Sequence, residues 1–96
     1  NSRYIRDWQV CAVVTDCDEQ GNATLSLRNK FAAGDEIEIV GPDSRPFTMT
    51  APVMEDSEGF ALYEPRTPQM VFKMKLPQRV PPMSFVRHAV QLSAKD

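Results

Sequence analysis

The chain has 96 residues, 42% hydrophobic and 25% charged, with a formal net charge of −2. That is the size of one domain with ordinary globular composition, which excludes a disordered chain. No apolar run approaches the roughly 20 residues of a spanning helix, and no basic-then-apolar leader is visible, so the expectation is a cytoplasmic chain without a membrane role.

Residues 1–58 carry five Lys/Arg against eleven Asp/Glu, −6, while residues 59–96 carry six against two, +4. Such asymmetry is expected of a binding face, and equally of two ordinary solvated faces. Eight prolines, from Pro42 to Pro82, break any helical window beyond Phe31. The apolar residues alternate instead, as they do in strands.

Residues 1–5 are read as a linker or tag remnant, 6–90 as the folded unit and 91–96 as a flexible C-terminal tail. Trp8–Thr15 places Trp8, Val10, Ala12 and Val14 on one face, with Val13 opposite. The stretch Asp16–Asn22 is a turn in which Gly21 and Asn22 take positive φ cheaply. Ala23, Leu25 and Leu27 then alternate with Thr24, Ser26 and Arg28, completing a β-hairpin. Ala33-Gly34-Asp35 turns the chain into Glu36–Val40, with Ile37 and Ile39 inward, and Gly41-Pro42-Asp43 closes that strand. A short strand at Pro46–Thr50 ends in a bend at Pro52. Glu55–Gly59 is an acidic turn leading to a strand near Phe60–Tyr63. In Gln69–Leu76, Met70, Phe72, Met74 and Leu76 face one way and Gln69, Lys73 and Lys75 the other, with Val71 breaking the pattern. Met83–Val90 is the last apolar stretch. The fold class predicted is all-β, a small closed or nearly closed barrel of six to seven short strands, which has the merit of hiding strand edges.

The residues spell out no reaction. His88 is the lone histidine and has no acid near it in sequence, so a nucleophile and base pair is not apparent. Asp16/Asp18 and Glu36/Glu38 have strand spacing but flank turns and solvent faces. The four glycines sit at separate turns and form no phosphate loop. Cys11 and Cys17 are too few for a disulfide scaffold and are read as reduced thiols, and a metal site would need more ligands. No catalytic residue, metal or cofactor is therefore assigned. Two basic clusters remain: Arg28 and Lys30 beside Phe31, and Lys73 with Lys75, with Arg66, Arg79 and Arg87 as candidate neighbours. Basic groups beside exposed aromatics hold nucleic acid by phosphate contact and stacking. Phe31 and Phe72 are expected in the core, however. Met49, Met54, Met70, Met74 and Met83 offer the alternative of an adaptable protein-binding patch.

The stretch Arg28-Asn29-Lys30-Phe31-Ala32-Ala33-Gly34-Asp35-Glu36-Ile37-Glu38 resembles the C-terminal domain of the collagenase-like peptidase family U-32. Gly41-Pro42, Pro68–Lys75 and Met83–Arg87 are similar to later parts of that domain, and the likeness spans roughly residues 4–88. Ser84 and the Phe60–Thr67 region depart from the family pattern. The resemblance implies a bacterial parent enzyme whose N-terminal barrel carries the catalytic and cluster-binding residues. Members of the family are peptidases, and relatives act in hydroxylation of tRNA or ribosomal RNA. Residues 34–41 also resemble a strand of the second domain of elongation factor Tu, a β-barrel.

On this reading the domain is a non-catalytic accessory that positions a macromolecular substrate, with tRNA favoured, for its N-terminal catalytic partner. Arg28, Lys30, Lys73, Lys75 and Arg79 would contact phosphates. Asn29, Phe31, Gly34, Asp35, Gly41 and Pro42 would maintain the fold. The rivals are a peptide- or protein-binding module and a purely structural domain.

Overall fold

The computed structural model describes the backbone of residues 4–42 and 45–93 and the side chains of 8–42 and 45–88. Eight strands follow in order: β1 (Tyr4–Cys17), β2 (Asn22–Leu27), β3 (Glu36–Val40), β4 (Phe47–Thr50), β5 (Met54–Glu55), β6 (Ala61–Leu62), β7 (Val71–Lys75) and β8 (Phe85–Ser93). They form one antiparallel sheet in the order β4-β3-β8-β1-β2-β7-β5-β6. No helix occurs among the described residues.

The order itself forces the sheet to curl. β4 and β5 are joined only by residues 51–53, yet six strand spacings separate them in the sheet. A flat sheet would hold them about 29 Å apart, and the linker reaches only about 14 Å when extended. The sheet therefore wraps into a half-barrel, and Ala51 of that linker is buried. The rims approach through the loop before β3, where Ala33 N donates to Tyr63 O at 2.7 Å. β4 and β6 do not pair, so the closed or nearly closed barrel expected is met as a curled half-barrel with an open seam, built of eight strands rather than six or seven.

The concave face is the core. Leu25, Leu27, Ile37, Ile39, Phe72, Met74 and Leu76 are all buried, as alternation predicts for β2, β3 and β7. Phe31 fills the middle, its ring 6.0 Å from that of Phe72 and tilted by 55°. Such tilted pairs contribute about 0.5–1.5 kcal/mol beyond area burial.

β1 departs from simple alternation. Its register against β8 shifts between Val10 and Ala12, and its register against β2 shifts between Val14 and Asp16. Each β-bulge adds one residue and flips the phase. Cys11, Ala12, Val14 and Cys17 are consequently buried, while Trp8 and Val10 turn outwards at 40% and 39% exposure. The expectation that Trp8 and Val10 share the inner face with Ala12 and Val14 is corrected by the first bulge.

The β1–β8 ladder is longer than the sequence suggests. It pairs Tyr4 with Ser93 and Ile5 with Leu92, so residues 4–5 and 91–93, read as linker and tail, lie in strands. β3 joins β8 only from His88, and β2 joins β1 only at Ala12. Trp8, opposite Ala89, sits where this two-stranded ribbon leaves the barrel.

The turns follow their chemistry. Gly21 and Gly34 have φ of +91° and +99°, while Asn22 does not take positive φ. β5 is a two-residue strand where the sequence shows only the start of an acidic turn, and Met54 on it is buried. Met74 is also buried, and Met49 and Met70 pack partly against the core, leaving Met83 alone strongly exposed. No methionine patch forms. Ser84 is fully buried, and its hydroxyl donates to Pro81 O at 2.6 Å, which satisfies the polar group at this departure from the family pattern.

Candidate functional site

The five basic side chains singled out above are all exposed. Three line one ladder. Lys73 and Lys75 alternate with the buried Phe72 and Met74, so both point to the convex face, opposite Thr24 and Asn22 of β2. Arg28 continues the outward phase of Asn22, Thr24 and Ser26. At about 3.3 Å per residue, Arg28 and Lys75 lie about 20 Å apart along the ladder. Lys30 and Arg79 lie exposed in the loops that follow β2 and β7. Among the described residues none of the five forms an ion pair. Arg66 pairs with Glu64 at 3.0 Å and Arg87 pairs with Glu38, so these two arginines are already matched.

The two ends of the row differ electrostatically. Lys73 and Lys75 open onto a cleft of about 360 Å³ that also holds Asp18, Asn22 and Glu55. Asp18 Oδ1 accepts the Gln20 and Asn22 backbone N–H groups at 2.9 Å each, and Oδ2 accepts Asn22 Nδ2 at 3.0 Å. The Asn22 side-chain amide above all, then the backbone donors and Lys75, hold the Asp18 carboxyl below its usual range. Its negative charge persists and offsets part of the lysine field.

At the other end, residues 28–30 are clamped to the first bulge of β1. Arg28 N and Asn29 N both donate to Cys11 O, at 2.6 and 3.0 Å, and Asn29 Nδ2 donates to Val10 O at 2.7 Å. Asn29 thus satisfies the carbonyl just before the bulge, and it fixes the backbone between two cations. Asp35 acts likewise in the next turn, where Oδ2 accepts Ala32 N at 2.9 Å. Gly34 lies between them, Gly41 is half-buried and Pro42 exposed at the end of β3.

Three features were not apparent in the sequence. The exposed aromatic on the strand that anchors the basic turn is Trp8, whereas Phe31 and Phe72 are buried. The Arg87 guanidinium lies over the Trp8 ring, 4.6 Å from its centroid. His88, which lacks an acid nearby in sequence, has Nε2 3.8 Å from Asp35 Oδ2. No local pattern could reveal that pairing, because the residues are 53 positions apart and meet only through the β3–β8 register. Cys11 also feels Asp35, but burial first and then that negative charge push its thiol up to about 12. A thiol so protonated at neutral pH is a poor nucleophile. Among the described residues no group of three or more His, Cys, Asp or Glu side chains converges as a metal site requires.

The sequence model of the Peptidase family U32 C-terminal domain matches residues 6–87. A Bacillus subtilis (strain 168) protein named tRNA hydroxylation protein P1 is 38% identical over 64 residues, which is 67% of this chain and 15% of that protein. Two solved structures are similar in fold, both of the C-terminal domain of a Geobacillus thermoleovorans protein assigned to the U32 peptidases. The selenomethionine variant superposes with a TM-score of 0.77 at 32% identity, covering 82% of this chain and 98% of that one. The other gives 0.77 at 29% identity, covering 84% and 91%.

Proposed function

The chain belongs to the peptidase family U32 C-terminal domains, and from that premise we propose that it is an RNA-positioning accessory module. It holds structured RNA, tRNA above all, for a catalytic domain elsewhere in a cytoplasmic bacterial parent protein, and supplies no chemistry or cofactor itself. The observation that carries this reading is the row of unpaired cations along the convex face of the β2–β7 ladder. A row of about 20 Å suits a phosphate backbone better than a small anion, which would need convergent donors. The name of the Bacillus relative, tRNA hydroxylation protein P1, supports tRNA as the RNA, although the chain spans only 15% of that protein. Asp18 and Glu55 beside Lys73 and Lys75 make the affinity modest, as befits a module that assists a larger enzyme.

The experiment is charge reversal. Lys73→Glu with Lys75→Glu changes two exposed side chains and leaves the core untouched, so the fold persists. The double variant is expected to bind bulk tRNA at least tenfold more weakly in a low-salt gel shift. Unchanged affinity, together with unchanged RNA modification by the full-length parent carrying the same substitutions, would sink the proposal in favour of a structural or protein-binding role.

A further inference from the structure

Three exposed aromatic side chains stand out on the surface: Trp8 at 40%, Phe60 at 65% and Tyr63 at 62%. Their surroundings separate them. Phe60 and Tyr63 flank β6 of the β5–β6 hairpin, which carries Glu55 on β5 and Asp56 and Glu58 in its turn. The nearest cation in sequence, Arg66, is consumed by Glu64. That local acidity disfavours a polyanion at these two rings, although Lys73 stands opposite Glu55. Trp8 lies on β1 roughly 10 Å along the strand from the Cys11 carbonyl that anchors Arg28 and Asn29, which is within reach of long basic side chains.

Trp8 is also held in place. The Arg87 guanidinium stacks on the indole at 4.6 Å and is itself fixed by Glu38, across the β3–β8 ladder from it. Cation–π contacts of this kind orient a ring at little cost in side-chain freedom. Glu38 cancels the Arg87 charge, so Arg87 positions the ring and does not compete for phosphate. Among the described residues neither β2 nor β3 extends alongside Trp8 and Ala89, so the indole stays accessible where the β1–β8 ribbon departs.

We infer that Trp8, oriented by Arg87 and Glu38, is a stacking platform for an unpaired nucleobase whose flanking phosphates are held by Arg28 and Lys30. The inference rests on the RNA-positioning reading and narrows it: the module takes a single-stranded segment, such as a loop, at this end of the row. Bases inside a duplex cannot offer a face to the indole, whereas splayed-out bases stack readily on aromatic rings.

The chain contains one tryptophan, so its intrinsic fluorescence reports this site alone. The 96-residue chain is titrated with a ten-nucleotide oligoadenylate and with an RNA duplex of equal length, and the Trp8→Ala and Trp8→Phe variants are followed by anisotropy of labelled oligoadenylate. Expected are saturable quenching by the single strand, little by the duplex, an affinity loss of about tenfold in Trp8→Ala, and most of the affinity retained in Trp8→Phe. Both variants should melt within a few degrees of the parent, since the residue is substantially exposed. If Trp8→Ala binds oligoadenylate and tRNA as tightly as the parent does, the stacking inference is overturned and RNA positioning stands. If the parent binds neither RNA, both fall together. A blue shift that grows with protein concentration in the absence of RNA would mean that a second copy covers the indole, and would also overturn the inference.

Discussion

Substituting alanine at Gly21 and, separately, at Gly34 distinguishes backbone strain from steric contact at two turns of the same domain. Both residues have positive φ, +91° and +99°. An alanine in that region costs about 1–2 kcal/mol. At Gly34 nothing lies within 4 Å of an added Cβ, so the strain is the whole effect. At Gly21 the Cβ would stand 2.4 Å from the Leu76 carbonyl oxygen. That is about 1 Å inside ordinary contact, and the obstacle is backbone that cannot swing aside. The β1–β2 turn and the end of β7 must separate, which weakens the 2.8 Å bond from Leu76 N to Gly21 O and disturbs the packing of the buried Leu76. Overpacking of this kind adds about 1–3 kcal/mol. For a domain of this size 1 kcal/mol moves Tm by about 5 °C. Gly34→Ala should therefore lower Tm by about 5–10 °C and Gly21→Ala by about 10–25 °C, followed by circular dichroism. Equal falls for the two variants would refute the claimed close approach of the β1–β2 turn to the β7 terminus.

Further outcomes are expected from the core and the turns. Phe72→Ala empties the centre of the half-barrel beneath Phe31 and should destabilise by about 3–5 kcal/mol in denaturant titration. The Asp18 carboxyl has a lowered pKa in the folded chain, so its contribution is complete above the free carboxyl value of 3.8 and is lost as pH falls through the folded value. Melting curves between about pH 5 and about pH 2.5 should accordingly fall more steeply for the parent than for Asp18→Ala. Cys11, with its thiol at about 12, should resist iodoacetamide in the native chain and react once the chain is unfolded, as peptide mapping would register.

Strand phase was legible wherever pairing is regular. Leu25, Ile37, Phe72 and their alternating neighbours face the core because nothing interrupts β2, β3 or β7. β1 misled because its two bulges leave no local mark: the same WQVCAVVT pattern fits an inward or an outward Trp8 until the partner strands fix the register. β5 was invisible because two residues carry no periodicity, and Met54 is buried by the short tether from β4 rather than by a pattern of its own. The basic residues of the candidate site could be chosen from sequence, and so could the family. Their charge environment could not, since Asp18 and Glu55 meet Lys75 and Lys73 only through the β2–β7 and β5–β7 pairings. Trp8, Arg87 and Glu38 come from three strands adjacent in the sheet and distant in the chain, and local sequence cannot assemble them.

The most direct test of the RNA-positioning account is the salt dependence of tRNA binding by this chain. If Arg28, Lys30, Lys73, Lys75 and Arg79 all neutralise phosphates, log K against log salt should slope between about −3.5 and −4.5, and reversal of Lys73 and Lys75 should flatten it by about 1.4–1.8. No binding at low salt, or a slope indifferent to those two lysines, would contradict the account.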